Sequence, residues 1–257
     1  MSLVFIDDFK NKHNGIHILT HAHTDHLRSI PKTFDQIIYC SPKTKELLPD
    51  IEILDDRLIP GTWVEIDDLK FYVFDSNHCM GSIGLYWDHN LYWGDGRPYR
   101  YPMFRHLTIK TIHQDSFWQD CKVSSLPGPH QTREWIRSLL HVDGFNYFVI
   151  VLPHFALLEH LPREFCYHLK VKDGLPDQLC QRAFDLLQLP RCEKTNIFLT
   201  RNKSKPKSDV LYIHPTSRWW RDRTEFEPVF ETNNEVRVFF SNHASKEENH
   251  WLMDLLQ

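Results

Sequence analysis

The segment His21-Ala22-His23-Thr24-Asp25-His26 places three imidazoles and a carboxylate within six residues, directly after the apolar run Ile16 to Thr20. Alternating histidines leaving a strand can reach one metal ion together, and Asp25 and His26, past the bend, can face a second ion beside it. A zinc ion takes four or five nitrogen, oxygen or sulfur ligands, so one hexapeptide cannot fill two sites. Further ligands must come from other strand ends. The candidates are His78 in Asn77-His78-Cys79-Met80-Gly81-Ser82, Asp95 in Trp93-Gly94-Asp95-Gly96-Arg97, and His243 in Ser241-Asn242-His243-Ala244-Ser245. A carboxylate such as Asp95 can bridge two ions through its two oxygens. Each of these three, taken singly, is also the kind of residue that serves as a hydrogen-bonded structural side chain.

The elements expected to position these groups are short strands. Leu3 to Ile6, Ile16 to Thr20, Gln36 to Cys40, Leu69 to Phe74, Ile83 to Trp87 and Leu91 to Trp93 run apolar or alternate. Ser41 before Pro42 opens a short helix, with proline at the first helical position. After about Asp115 the texture alternates, with helices expected over Thr132 to Leu140 and Pro176 to Leu187. Strands are expected over Tyr147 to Leu152, Asn196 to Thr200 and Val210 to Ile213. Glu235 to Phe240 resumes a strand, and Ser245 with Glu248 forms a capping box opening a last helix. The fold class is therefore α/β, a β-rich lobe carrying an α/β insert.

Composition narrows the function. The chain has 257 residues, 41% of them hydrophobic and 25% charged, which excludes disordered, collagen-like and coiled-coil designs. No apolar stretch approaches the roughly 18 residues of a membrane span, and the first residues carry acids where a signal peptide needs bases. An intracellular protein is expected. The net charge of −4 offers no global field for nucleic acid, so any such contact must be local. One segment supplies it: Arg191 to Arg223 holds nine Lys/Arg against three acids. Lys203, Lys205 and Lys207 lie within it, as do Thr216, Ser217, Trp219 and Trp220, where an indole could stack a base. A solvated loop over core tryptophans is the competing reading. Arg97 and Arg100 could also meet phosphates. The six cysteines form no CxxC pair, which argues against a disulfide framework and a cysteine-based zinc site.

In order along the chain, the His21–His26 motif, His78-Cys79 with Gly81-Ser82, and Gly94-Asp95 with Arg97 resemble the metallo-β-lactamase superfamily. Ile6-Asp7-Asp8-Phe9, the run Tyr39 to Leu48, Asp115-Ser116-Phe117-Trp118 and Ser241 to Ser245 narrow the resemblance to β-CASP nucleases of the DNA cross-link and end-repair group (Artemis- and Apollo-like). The resemblance implies an αβ/βα sandwich from residues 1–117 and 226–257, with a shortened β-CASP insert at 118–225 and the active site in the cleft between the lobes. It implies one zinc on His21, His23, His78 and Asp95, and another on Asp25, His26, Asp95 and His243, with Asp7 and Asp115 as supporting carboxylates. The implied reaction is phosphodiester hydrolysis of DNA ends by a metal-activated hydroxide, with Asp25 holding or accepting the proton of the water, in a nuclear setting of DNA replication or repair. A different divalent metal, RNA as substrate, and a non-catalytic nucleic-acid-binding scaffold are the alternatives. Ser241 matches a hydroxyl of the family's terminal-phosphate pocket, whereas His154 and Leu157 stand where its lysine and tyrosine would be. Asn77 replaces the glycine usual before His78, Met80 replaces a proline, and the resemblance ends at the last helix, before the family's final motif strand.

Overall fold

In the computed structural model, residues 2–10, 14–98, 102–202 and 207–256 are described. The chain divides into two compact units, Met1–Gln119 with Asn242–Gln257, and Asp120–Ser241.

The first unit holds two sheets. One is wholly parallel, β1 (Val4–Ile6), β2 (Ile16–Ile18), β3 (Ile38–Tyr39) and β4 (Leu54–Asp55), in that order. The other runs β5 (Trp63–Ile66), β6 (Leu69–Asp75), β7 (Ile83–Trp87), β8 (Asn90–Gly94) and β9 (Thr111–Gln114). It is antiparallel except at its last pair. Side chains alternate across a strand, and β6 uses both faces. Leu69, Phe71 and Val73 join Ile16, Ile18, Ile83 and Leu85 in one core, whereas Phe74 joins Trp93, Phe104 and Leu252 in another. Sheet thus packs on sheet, with α5 (Lys246–Met253) bringing Leu252 to the outer face. The short α1 (Thr24–Leu27) follows β2, and α2 (Pro42–Leu47) is capped by the Ser41 hydroxyl, which accepts from Thr44 N–H at 3.1 Å. The capping box of Ser245 and Glu248 is formed.

The second unit holds one six-stranded sheet built from β10 (Tyr147–Val151), β11 (His168–Lys170), β12 (Ile197–Thr200), β13 (Val210–Thr216), β14 (Val229–Thr232) and β15 (Glu235–Phe239). The spatial order is β11-β12-β10-β13-β15-β14. The helices α3 (Pro129–Leu139) and α4 (Leu175–Leu186) belong to this unit.

β15 pairs in parallel with β13 and carries β14 with it, so residues 229–239 lie in the sheet of the second unit. One expectation changes. A disulfide joins Cys166 and Cys192, although no CxxC spacing signals it. The isolated bridge between Tyr167 and Arg191 brings the neighbouring cysteines to a Cα separation of 5.6 Å, within disulfide range.

Candidate metal centre

Six loops, each leaving a strand, supply the candidate site. Asp7 follows β1, His21 to His26 follow β2, His78 follows β6, Asp95 follows β8, Asp115 follows β9 and His243 follows β15. Backbone exceptions fix two of them. Asn77 has φ of +58°, the left-handed region that favours glycine but that asparagine also enters, so it can stand in the expected glycine position. Gly96 has φ of +149°, and a Cβ there would stand 2.0 Å from the carbonyl oxygen of Ser76, so the turn after Asp95 requires glycine.

Imidazole nitrogens converge. His23 Nδ1 lies 3.1 Å from His21 Nε2 and 3.0 Å from His78 Nε2. Asp95 Oδ2 lies 3.4 Å from His26 Nε2 and 4.0 Å from His21 Nε2. The far side of several rings is held. Thr20 donates its single hydroxyl proton to Asp7 at 2.6 Å, so its oxygen accepts from His21 Nδ1 at 2.9 Å. That assigns the proton of His21 to Nδ1 and turns a lone pair on Nε2 toward the cluster. His26 Nδ1 pairs with Asp7 at 3.0 Å, and His243 Nδ1 donates to Asp115 at 2.7 Å.

Three groups of ligand atoms, each within 4.8 Å, result: His21, His23, His78 and Cys79; His21, His26 and Asp95; Asp95, Asp115 and His243. Asp95 is shared by two of them. This donor set, with His21 and His78 neutral and their outer Nδ1 atoms hydrogen-bonded so that Nε2 faces the cluster, and with the ionised Asp95 beside His26, fits a divalent cation that displaces the second His26 proton. Electrostatics agree. Burial, with the neighbouring histidines, holds His21 well below its ordinary value. Burial, then His243, brings His78 down to about 4. Burial opposes charging His26, but the carboxylates of Asp7 at 3.0 Å and Asp95 at 3.4 Å raise it to about 10. Burial likewise opposes ionisation of Asp95, yet the hydrogen bond from His26 and the charges of His78 and His243 pull it down to about 2.

Asp25 stands apart from all three groups. Its side chain is 78% exposed and its carboxylate lies 4.0 Å from His26 Nε2, at the rim of the cluster. Sequence reading passed over Thr20, Asn242, Phe117 and Cys79. Phe117 stacks on the His243 ring at 4.3 Å. The cysteine scatter dismissed every cysteine as a ligand, but Cys79 places its sulfur beside three imidazoles; its adjacency to His78 was the available signal.

The expected nucleic-acid contacts fare differently. Lys203, Lys205 and Arg100 lie outside the described residues, and Lys207 is exposed. Thr216 and Ser217 are half-buried at the end of β13. Trp220 is 1% exposed, packed near Phe226 and Phe239, so it cannot stack a base. Trp219 is half-buried with the Arg223 guanidinium 3.4 Å over its ring, so that face is taken. Arg97 turns inward, its Nε donating to Glu248 at 3.0 Å, and is not a surface phosphate contact. Ser241 and Leu157 are buried, and Leu157 is wholly enclosed.

Comparison with known proteins adds relatives. Artemis of Danio rerio is 23% identical over 93% of this chain and 47% of its own length. The DNA cross-link repair protein pso2/snm1 of Schizosaccharomyces pombe is 27% identical over 43% of this chain and 23% of its own. The DNA cross-link repair 1A protein of Mus musculus is 33% identical over 26% of this chain and 7% of its own. The chain thus spans less than half the length of each of these relatives. No protein-family model matches the sequence.

Proposed function

Starting from homology to the β-CASP metallo-β-lactamase nucleases of DNA cross-link repair, we propose that the chain is a metal-dependent nuclease hydrolysing DNA phosphodiester bonds in repair or end processing. In this reading the unit around Met1–Gln119 is the metallo-β-lactamase sandwich and Asp120–Ser241 is the β-CASP insert. Localisation would follow the substrate, at nuclear DNA or wherever DNA is repaired.

The observation that carries the reading is the convergence of His21, His23 and His78 on one another, and of His21 and His26 on Asp95. Two zinc-class ions would be held by His21, His23, His78 and Asp95, and by Asp25, His26, Asp95 and His243. When bound, they supply a hydroxide near neutral pH and neutralise charge on the phosphate. The chain's own groups do the rest. Asp95 is ionised and shared, so it can serve both positions. Asp25, exposed beside His26, can accept the proton of an attacking water without crossing the apolar core. Asp7 and Asp115 hold His26 and His243 in register.

The test is elemental analysis of protein purified without chelator, paired with cleavage of end-labelled single- and double-stranded DNA and of RNA of the same sequence. Close to two ions per chain and metal-dependent cutting of DNA are expected. Less than one ion, or DNA left intact under every metal tried, overturns the reading. Faster cutting of RNA replaces it with an RNA-processing enzyme.

A further inference from the structure

We infer that Asn242 is a positioning residue that clasps His78 from both sides of the peptide, fixing which imidazole nitrogen faces the cluster. His78 Nδ1 lies 3.4 Å from the carbonyl oxygen of Asn242, while the Asn242 side-chain amide donates to the carbonyl oxygen of His78. The contact spans 164 positions of sequence and is buried, with His78 and Asn242 each 3% exposed.

The two bonds are reciprocal and directional. A backbone carbonyl can only accept, so the bond at Nδ1 requires the proton there and leaves Nε2 with a lone pair. That nitrogen is the one lying 3.0 Å from His23 Nδ1. The amide orientation is equally determined, because a flipped amide would set Oδ1 against the His78 carbonyl, two acceptors face to face. In the orientation observed, the side-chain amide acts as the donor to His78.

Position adds a second consequence. Asn242 immediately precedes His243, whose ring lies 4.8 Å from that of His78. The clasp therefore sets the spacing between a ligand of the three-histidine group and a ligand of the group around Asp115. An outer partner that holds a ligating histidine typically changes metal affinity about 10- to 100-fold when removed.

The inference rests on the metal-centre reading, and the experiment separates the two. Metal-free wild type, Asn242→Ala and Asn242→Leu are titrated with cobalt(II), following the visible bands that report coordination geometry. Far-ultraviolet circular dichroism and thermal melting of the metal-free proteins check the fold. Cobalt affinity about tenfold weaker or more, with shifted visible bands in a folded variant, supports the clasp. Wild-type affinity and an unchanged spectrum in either folded variant overturn it. Wild type that takes up no cobalt would sink the metal reading itself, and the clasp with it. Should neither variant fold, wild type alone decides. In ¹⁵N-histidine-labelled, zinc-loaded protein, two-bond proton–nitrogen correlations must show His78 protonated at Nδ1, and protonation at Nε2 would overturn the inference.

Discussion

Asp115 holds His243 by a 2.7 Å hydrogen bond to Nδ1 across 128 positions of sequence. The same carboxylate accepts from the backbone N–H of Phe117 at 2.8 Å, Gly96 at 3.2 Å and Ala244 at 3.4 Å. It is 4% exposed, so these donors replace its water. One carboxylate thereby ties the loops after β8 and β9 to the segment that carries His243.

Asp115→Asn tests that arrangement. The amide keeps the shape but directs an N–H at one of the existing donors, so stability should fall by about 1–3 kcal/mol. Metal affinity should fall about 10- to 100-fold through the loosened His243. Denaturant unfolding of the metal-free protein and zinc competition with a chelating dye read the two effects separately. A variant with wild-type zinc affinity would show that His243 needs no such holder.

Asp25 and Asp95 should differ in how many ions their loss releases. Asp25 is exposed at the rim, so Asp25→Ala should change stability by no more than about 0.5 kcal/mol. Cleavage should nevertheless drop about 10²- to 10⁴-fold if the carboxylate handles the proton of the attacking water. Asp25→Ala, at the rim, should weaken the second ion only, whereas Asp95→Ala, at the junction of two ligand groups, should lose metal from both positions along with activity. Single-turnover cleavage with metal content measured on the same samples distinguishes them, and an Asp95→Ala protein that cuts at the wild-type rate removes the site altogether.

How much of this was legible in the sequence follows from how local each feature is. His21, His23 and His26 could be read because one strand end carries them all, and the helix caps at Ser41 and Ser245 because a cap is a short-range pattern. Family resemblance offered Asp115 as a supporting carboxylate but did not name His243 as its partner, since no local rule links residues so far apart. Thr20 and Asn242 were not legible, because a hydroxyl or amide has no periodicity and acquires its role only from what folds against it. The sheet that receives β15 was hidden for a related reason. Glu235 to Phe239 reads as a strand in either lobe, and only its parallel register with β13 decides which sheet receives it.

Protonation of His26 gives a prediction for the metal-free protein. Its value is raised to about 10, above the ordinary value of 6.5, by Asp7 and Asp95 against the opposing effect of burial. A group raised on folding stabilises fully below its unfolded value and loses that contribution as pH climbs toward its folded value. The chelated protein should therefore lose stability between about pH 7 and pH 10, and His26→Gln should flatten that part of the profile. A cation occupying Nε2 must displace this proton, so zinc uptake at pH 8 should release about one more proton from wild type than from His26→Gln. Calorimetry in buffers of different ionisation enthalpy counts the protons, and equal counts would contradict the assigned His26 charge.

The basic segment supplies the last prediction. Arg191 to Arg223 carries an excess of cations in a chain whose net charge is −4, so a phosphate backbone would be held there or not by long-range charge at all. Trp220 is buried and one face of Trp219 is covered by Arg223, which leaves cations rather than stacked bases as the source of affinity. Reversing the charge of Lys203, Lys205 and Lys207 together should weaken binding of all DNA sequences alike. The slope of log affinity against log salt should shrink by about 0.7 for each lost contact to a single strand and about 0.9 on duplex. Fluorescence anisotropy with a catalytically silent background, such as Asp25→Ala, gives the slope without cleavage. A loss confined to particular sequences would instead mean that the segment touches base edges. An unchanged slope would leave the run a solvated loop, with the phosphates held elsewhere on the chain.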